Sequence, residues 1–279
     1  MKLQARWIAL AAIAAHAAGC SPLQEPPARA PTPRSVAVDD ALVQFSLVAA
    51  LAAGDYVAGP TLGEVLTQGD FGVGTFSRLA GEMIVLEGAI YQAHVDGTIH
   101  RVSLDDTTPF AAVKFFTEDG RIEGLAAPSL DVLDRRLDEQ LARRNVPYAI
   151  RIDGEFAALT LRSVAAQSPP FKPLVDVVKQ QVTWSHQNVR GTLVGLRCPP
   201  WVGTLNVAGY HWHFLSDDRQ IGGHVLACEL SRGTLRYDEC SSLVLHLPRS
   251  REFDEFDAGL IDKGQIDQIE RQRVPAAPR

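Results

Sequence analysis

The sequence predicts an α+β fold, with β-rich mixed sheets flanked by a few helices. Strand-type patterns outnumber helical ones, and the helical segments do not alternate with strands, which argues against a doubly wound parallel sheet. Short apolar segments separated by Glu87-Gly88 and Asp96-Gly97 read as a meander. A faint echo between Gly74-Thr75 and Gly191-Thr192 fits two related halves. With 46% apolar and 22% charged residues, the 279-residue chain has the composition of a globular protein with a substantial core.

Residues 1–20 read as an export signal, because Lys2 and Arg6 precede an apolar run at 7–15 that is too short to span a membrane and is followed by small residues. It ends Ala17-Ala18-Gly19-Cys20, which resembles the lipobox of bacterial lipoproteins and makes Cys20 the candidate lipid-bearing residue. Leucine is usual where Ala17 stands, so ordinary cleavage near Ala17 or Ala18 is the second reading. Residues 21–40, with Pro22, Pro26, Pro27, Pro31 and Pro33, read as an extended tether, leaving 41–279 as the functional domain. The expectation is an exported protein facing the periplasm or cell exterior, touching a membrane only through that anchor. Of 27 basic residues Lys2 and Arg6 lie in the leader, leaving 25 against 33 acidic, a net of −8 that argues against nucleic acid as a partner.

Residues 41–53 suit a short strand leading into a helix, or one helix throughout. Thr61 with Glu64 three residues on forms a capping box, and Gly69 stands where a helix C-cap belongs. Strand chemistry follows at 83–86, 89–93 and 110–116. Ser129 caps a helix with Leu130, Leu133, Leu137 and Leu141 on one stripe, Arg143 and Arg144 in its last turn, and Pro147 ending it. Segments 148–156 and 159–164 read as strands, 174–181 as an amphipathic helix, and 182–185 and 192–196 as strands again. Gly69-Asp70-Phe71-Gly72-Val73-Gly74 has the wrong spacing for a dinucleotide loop, and no helix follows it. Cys198, Cys228 and Cys240 include no C-x-x-C pair; either Cys228 pairs with Cys240 or the three are free thiols.

The chemistry concentrates at 206–230. In a strand over 209–215, side chains alternate, so His211 and His213 share one face while Tyr210, Trp212 and Phe214 pack on the other. Ser216-Asp217-Asp218-Arg219 is a polar turn, and 225–230 reads as the returning strand. One register of that hairpin sets His213 opposite His224 and gathers three imidazoles. Three imidazoles with an open fourth position describe a catalytic rather than a structural zinc site. Iron, nickel or manganese also suit that donor set, and an ordinary polar pair is the bland alternative. His94, His100, His186 and His246 have no ligand-like spacing.

Gly69-Asp70-Phe71-Gly72-Val73-Gly74-Thr75-Phe76, Gly81-Glu82, Thr108-Pro109-Phe110-Ala111, Tyr148-Ala149-Ile150-Arg151-Ile152-Asp153-Gly154, Pro170-Phe171-Lys172-Pro173-Leu174 and the 209–226 segment together resemble the α-acetolactate decarboxylase family over roughly residues 41–248. The resemblance implies a zinc enzyme that converts 2-acetolactate to acetoin and carbon dioxide, usually as a homodimer. Its metal ligands fall on His211, His213 and His224, and its active-site glutamate and arginine on Glu82 and Arg162. A second glutamate falls on Glu270 by counting from Leu247-Pro248, with Glu252 and Glu255 also available in the tail. Most members are cytoplasmic, so the leader is a departure. Two other functions share the histidines: a cupin-type dioxygenase or isomerase using iron or nickel, and a non-catalytic exported lipoprotein that holds a metal or a small ligand.

Overall fold

The computed structural model describes residues 40–270 apart from 58, 258 and 260. The leader, Cys20 and most of the proline-rich tether lie outside the described residues.

Residues 41–53 form both elements of the first reading: strand β1 (Ala41–Phe45), then helix α1 (Val48–Ala53). Helix α2 (Leu62–Leu66) starts at the reciprocal capping box of Thr61 and Glu64, a device that contributes about 1 kcal/mol. Its C-cap is Thr67 rather than Gly69. Gly69 has another reason to be glycine, because a Cβ there would lie 2.5 Å from the Lys114 backbone nitrogen. The meander is β2 (Phe71–Thr75), β3 (Glu82–Leu86), β4 (Ala89–Ala93) and β5 (Ile99–Arg101). Strand β6 (Ala111–Lys114) leaves it and inserts between β1 and β2. Strand β7 (Gly120–Ala127) and helix α3 (Leu130–Gln140) follow. Ser129 caps α3 through the Val132 amide, but the helix stops at Gln140, so Arg143 and Arg144 lie beyond its last turn.

Three long strands replace what reads in the sequence as several short ones: β8 (Tyr148–Ser163), β9 (Val182–Cys198) and β11 (Gly222–Glu239). Short helix α4 (Leu174–Val177) lies between β8 and β9, and β10 (Gly209–Ser216) between β9 and β11. The described chain ends with β12 (Ser242–His246), α5 (Arg251–Glu255) and α6 (Lys263–Glu270).

One sheet has seven strands in the order β12-β1-β6-β2-β3-β4-β5, and β12 runs parallel to β1. The other has the order β10-β9-β8-β11-β7, and β10 also pairs with the start of β11. The echoing Gly-Thr pairs fall on β2 and β9, one in each sheet, while strand number and order differ between the sheets.

Period-two alternation sorts the core. On β3, Ile84 and Leu86 face the second sheet, where they join Val194, Leu196 and Leu215; Met83 and Val85 face the other way, in the cluster that holds Leu62 and Val65 of α2. Helix α3 covers the far face of the second sheet through Leu133 and Leu137. Helices α1, α4 and α6 form a third apolar cluster, which contributes the apolar wall of the site. Cys198, Cys228 and Cys240 are all buried and free, so the Cys228–Cys240 bridge does not form. Among the described residues no helix is long and apolar enough to cross a membrane.

Candidate active site

Strand β10 delivers two histidines to one face. His211 and His213 point between the sheets, while Tyr210, Trp212 and Phe214 pack in the core on the α3 side. That reverse face is anchored: the Tyr210 hydroxyl and the Trp212 Nε1–H each donate a 3.0 Å hydrogen bond, to Asp138 and Asp134 of α3. Gly195 makes room beneath Trp212, since a Cβ there would lie 2.1 Å from the indole. The hairpin takes the register in which His213 stands directly opposite His224.

Ring centroids of His211, His213 and His224 are 5.0, 5.1 and 5.4 Å apart, and one nitrogen from each ring can be chosen so that all three lie within 4.8 Å of one another. Backbone carbonyls fix two of the tautomers. His213 Nδ1–H donates to the Met83 carbonyl at 2.7 Å and His224 Nε2–H to that of Glu270 at 3.0 Å. A carbonyl only accepts, so the opposite nitrogen of each ring presents a lone pair. Those nitrogens, His213 Nε2 and His224 Nδ1, are buried without a hydrogen-bond partner, as is His211 Nδ1. Burial first, then the charge of Arg162, holds His211 down at about 3. Burial also keeps His213 and His224 well below the usual imidazole range. Neutral rings with an orphaned nitrogen each, two of them oriented by carbonyls, are what a divalent metal requires. The donor set does not by itself select the metal.

Glu82 opens β3 and shares the face of Ile84 and Leu86, so it points at the second sheet. Gly81 before it adopts φ +98°, and a Cβ there would strike the Ala93 carbonyl at 2.4 Å. The Thr75 hydroxyl donates to the Gly81 carbonyl at 2.8 Å and fixes that turn. Glu82 Oε1 accepts from Arg162 Nη1 at 3.1 Å, and Oε2 lies 3.5 Å from His213 Nε2. Burial pushes the Glu82 carboxyl up to about 7; Arg162 opposes the rise and Glu270 adds to it. Arg162 is paired with His224 on the neighbouring strand β11, and its Nε carries no hydrogen-bond partner.

Glu270 arrives on α6, whose Ile266 and Ile269 are buried in the third cluster. Its Oε2 stands 3.4 Å from His211, 3.8 Å from His224 and 3.9 Å from Arg162. The other tail glutamates, Glu252 and Glu255, are exposed on α5. All six residues named from the sequence therefore meet at one place, although residues 82 and 270 are 188 positions apart. His94, His100, His186 and His246 stay out of it. Sequence reasoning missed the Met83 carbonyl, which has no side-chain signature, and the apolar wall of the adjoining cavity, whose leucines and valines look like ordinary core. That cavity has about 40 Å³ of free space and reaches the side chains of His211, His224, Glu82, Arg162 and Glu270.

So many ionisable groups, withdrawn from water around a cavity and left with unused donors and lone pairs, describe an enzyme site able to hold a metal rather than a structural core. The alpha-acetolactate decarboxylase family model matches residues 42–258. A relative of that name from Methanosarcina mazei is 38% identical over 232 residues, covering 83% of this chain and 81% of its own. One from Bacillus subtilis is 36% identical over 219 residues, covering 78% and 85%. The crystal structure of alpha-acetolactate decarboxylase from Bacillus subtilis strain 168 superposes with a TM-score of 0.81 at 34% identity, covering 83% of this chain and 99% of that one. The chain belongs to the alpha-acetolactate decarboxylase family.

Proposed function

We propose that this protein decarboxylates 2-acetolactate to acetoin, using zinc held by His211, His213 and His224. The observation that carries the reading is the set of three buried, partnerless imidazole nitrogens beside an arginine and a glutamate whose carboxyl is pushed up to about 7 by burial. When bound, the metal supplies Lewis-acid stabilisation of the negative charge that develops on the substrate's ketone oxygen.

The chain's own groups account for the rest. Arg162, with Nε free to donate, binds the substrate carboxylate and orients the bond to be broken. That bond joins the carboxylate carbon to C2. As it breaks, carbon dioxide leaves and the electron pair delocalises through C2 and C3 onto the ketone oxygen. Glu82 then delivers its proton to C2, giving acetoin, and is reprotonated by water. Delivery from a fixed side chain favours one face of C2 and hence one enantiomer. Glu270 lies against two of the histidines and Arg162, where it holds the substrate hydroxyl and the arginine in place.

Acetoin production from racemic 2-acetolactate by purified protein tests the reading directly. Turnover that disappears with a chelator and returns with zinc supports it. Folded, zinc-loaded protein that forms no acetoin sinks it, and one iron per chain in protein purified without added metal counts against zinc. The proposal extends to an exported homodimer anchored at Cys20, supported by the leader and by the family's usual assembly. Mass spectrometry of the mature N-terminus and sedimentation of the purified protein test those two points.

A further inference from the structure

We propose that helix α1 is the size gate of the active site, with Leu51 and Val48 setting the longest alkyl substituent that the substrate can carry. The inference rests on the decarboxylase reading above.

Besides its ionisable groups, the cavity is lined by an apolar wall of Val48, Leu51, Leu79, Phe110, Val164 and Leu174. Each of these side chains is less than 10% exposed. The carboxylate, hydroxyl and ketone oxygen of a 2-hydroxy-3-oxo acid belong against Arg162 and the histidines, which turns the groups on C2 and on the ketone carbon toward this wall. In 2-acetolactate those are two methyl groups. With only about 40 Å³ of free space in the cavity, the side chains of this wall decide how much longer either group can be.

Most of the wall is tied to the catalytic frame. Leu79 sits at φ +57°, three residues before Glu82. The Phe110 carbonyl accepts from the Thr75 amide and from the Thr108 hydroxyl at 2.8 Å. Val164 follows Ser163, whose hydroxyl donates to the Ala93 carbonyl at 3.0 Å. Changing those residues moves the machinery with the pocket. Helix α1 differs: its sequence Val-Ala-Ala-Leu-Ala-Ala has no polar side chain, and none of its residues is bonded to an ionisable group of the site. Backbone bonds hold it, from Val48 N–H to the Leu205 carbonyl at 3.0 Å and from Ala49 N–H to that of Thr204 at 3.1 Å. Side-chain size on α1 can therefore change without breaking a hydrogen bond of the catalytic groups; its link to them is apolar packing with Ile266 and Ile269 of α6, the helix that carries Glu270.

The test compares kcat/KM for 2-acetolactate with that for its homologues bearing ethyl or propyl on C2, in the wild-type protein, Leu51→Ala and Val48→Phe. Leu51→Ala is expected to raise the propyl-to-methyl ratio on the order of tenfold, the worth of a methylene or two in an apolar pocket. Val48→Phe is expected to lower the ethyl-to-methyl ratio by a similar factor. Thermal melting and metal content establish that each variant is folded and loaded, and either variant alone decides the question. Ratios that stay within twofold of wild type, with acetoin still formed from 2-acetolactate, overturn the gate and leave the decarboxylase reading intact. A wild-type protein that turns over none of the homologues, 2-acetolactate included, overturns both.

Discussion

Lys114 and Asp238 reach across from one sheet to the other just as Glu82 and Arg162 do. Lys114 on β6 lies 3.1 Å from Asp238 on β11, and neither side chain is more than 1% exposed. Asp238 spends its second oxygen on the Thr117 amide at 2.6 Å. That ion pair is closed, with both carboxylate oxygens matched to donors. Around Arg162 the burial is similar, yet a guanidinium N–H and a nitrogen on each of three histidines are left over beside a cavity. Burial of charge is thus shared by a structural strut and a catalytic site. What separates them is unfinished hydrogen bonding next to space that a ligand can fill.

The largest expected effect breaks the unfinished cluster. His213→Ala is expected to lower acetoin formation by at least about 10³-fold and to remove bound metal, because several kcal/mol of charge stabilisation go with it. Stability without metal should fall by only about 1 kcal/mol, the worth of the hydrogen bond to the Met83 carbonyl, since the rest of the imidazole is a desolvated group with an unused nitrogen. Metal analysis and chemical unfolding in chelator check both halves. A large loss of metal-free stability would place His213 with Lys114 as a strut.

Lys114→Met makes the opposite test. Burial pushes Asp238 up to about 6, against the Thr117 amide and the Lys114 charge. Its folded carboxyl therefore holds a proton more tightly than the unfolded chain does, so its contribution to stability is complete below about pH 4 and declines as pH rises through about 6. Without the cation that decline steepens. Lys114→Met is expected to cost about 3 kcal/mol at pH 8 and much less at pH 5, where Asp238 is neutral in either protein. Urea unfolding at the two pH values measures it, and kcat of the protein that remains folded should be unchanged.

Arg162→Lys keeps the charge beside Glu82 but removes the planar fork and the free Nε. We expect a loss of about 10²-fold in kcat/KM, typical of one misplaced donor, with unfolding shifted by less than about 1 kcal/mol. An equal loss of stability and activity would mean that the arginine is a strut after all.

How much of this was legible in the sequence follows the range of the interactions. The histidine hairpin was, because alternation and a polar turn are local, and of its possible registers the chain takes the one that sets His213 against His224. The capping box at Thr61 and the mixed, strand-rich class were legible for the same reason. The long strands were not. Gly154, Gly191 and Gly233 interrupt their apolar runs, and bulges around Leu230 let β11 continue past places where its pattern fails. Nor could pattern alone bring Glu82, Arg162 and Glu270 together, since each reads as an ordinary charged residue; only the family resemblance pointed to them. The parallel pairing of β12 with β1, which joins residues 201 positions apart, left no local trace.

The smallest expected effect concerns the two faces of β10. Tyr210 lies one residue from His211, but its hydroxyl is satisfied by Asp138 on the far side of the sheet, and burial raises its pKa far above the usual phenol range. By the rule that separates the two charge clusters, a completed bond contributes stability and not chemistry. Tyr210→Phe should cost about 1 kcal/mol in unfolding free energy, the net worth of one hydrogen bond, and leave kcat and metal content unchanged. A fall in kcat without a fall in melting temperature would mean that helix α3 steers the histidines through the strand, so that finished bonds on one face tune unfinished ones on the other. The distinction between strut and site would then hold for residues in isolation but not for residues that share a strand.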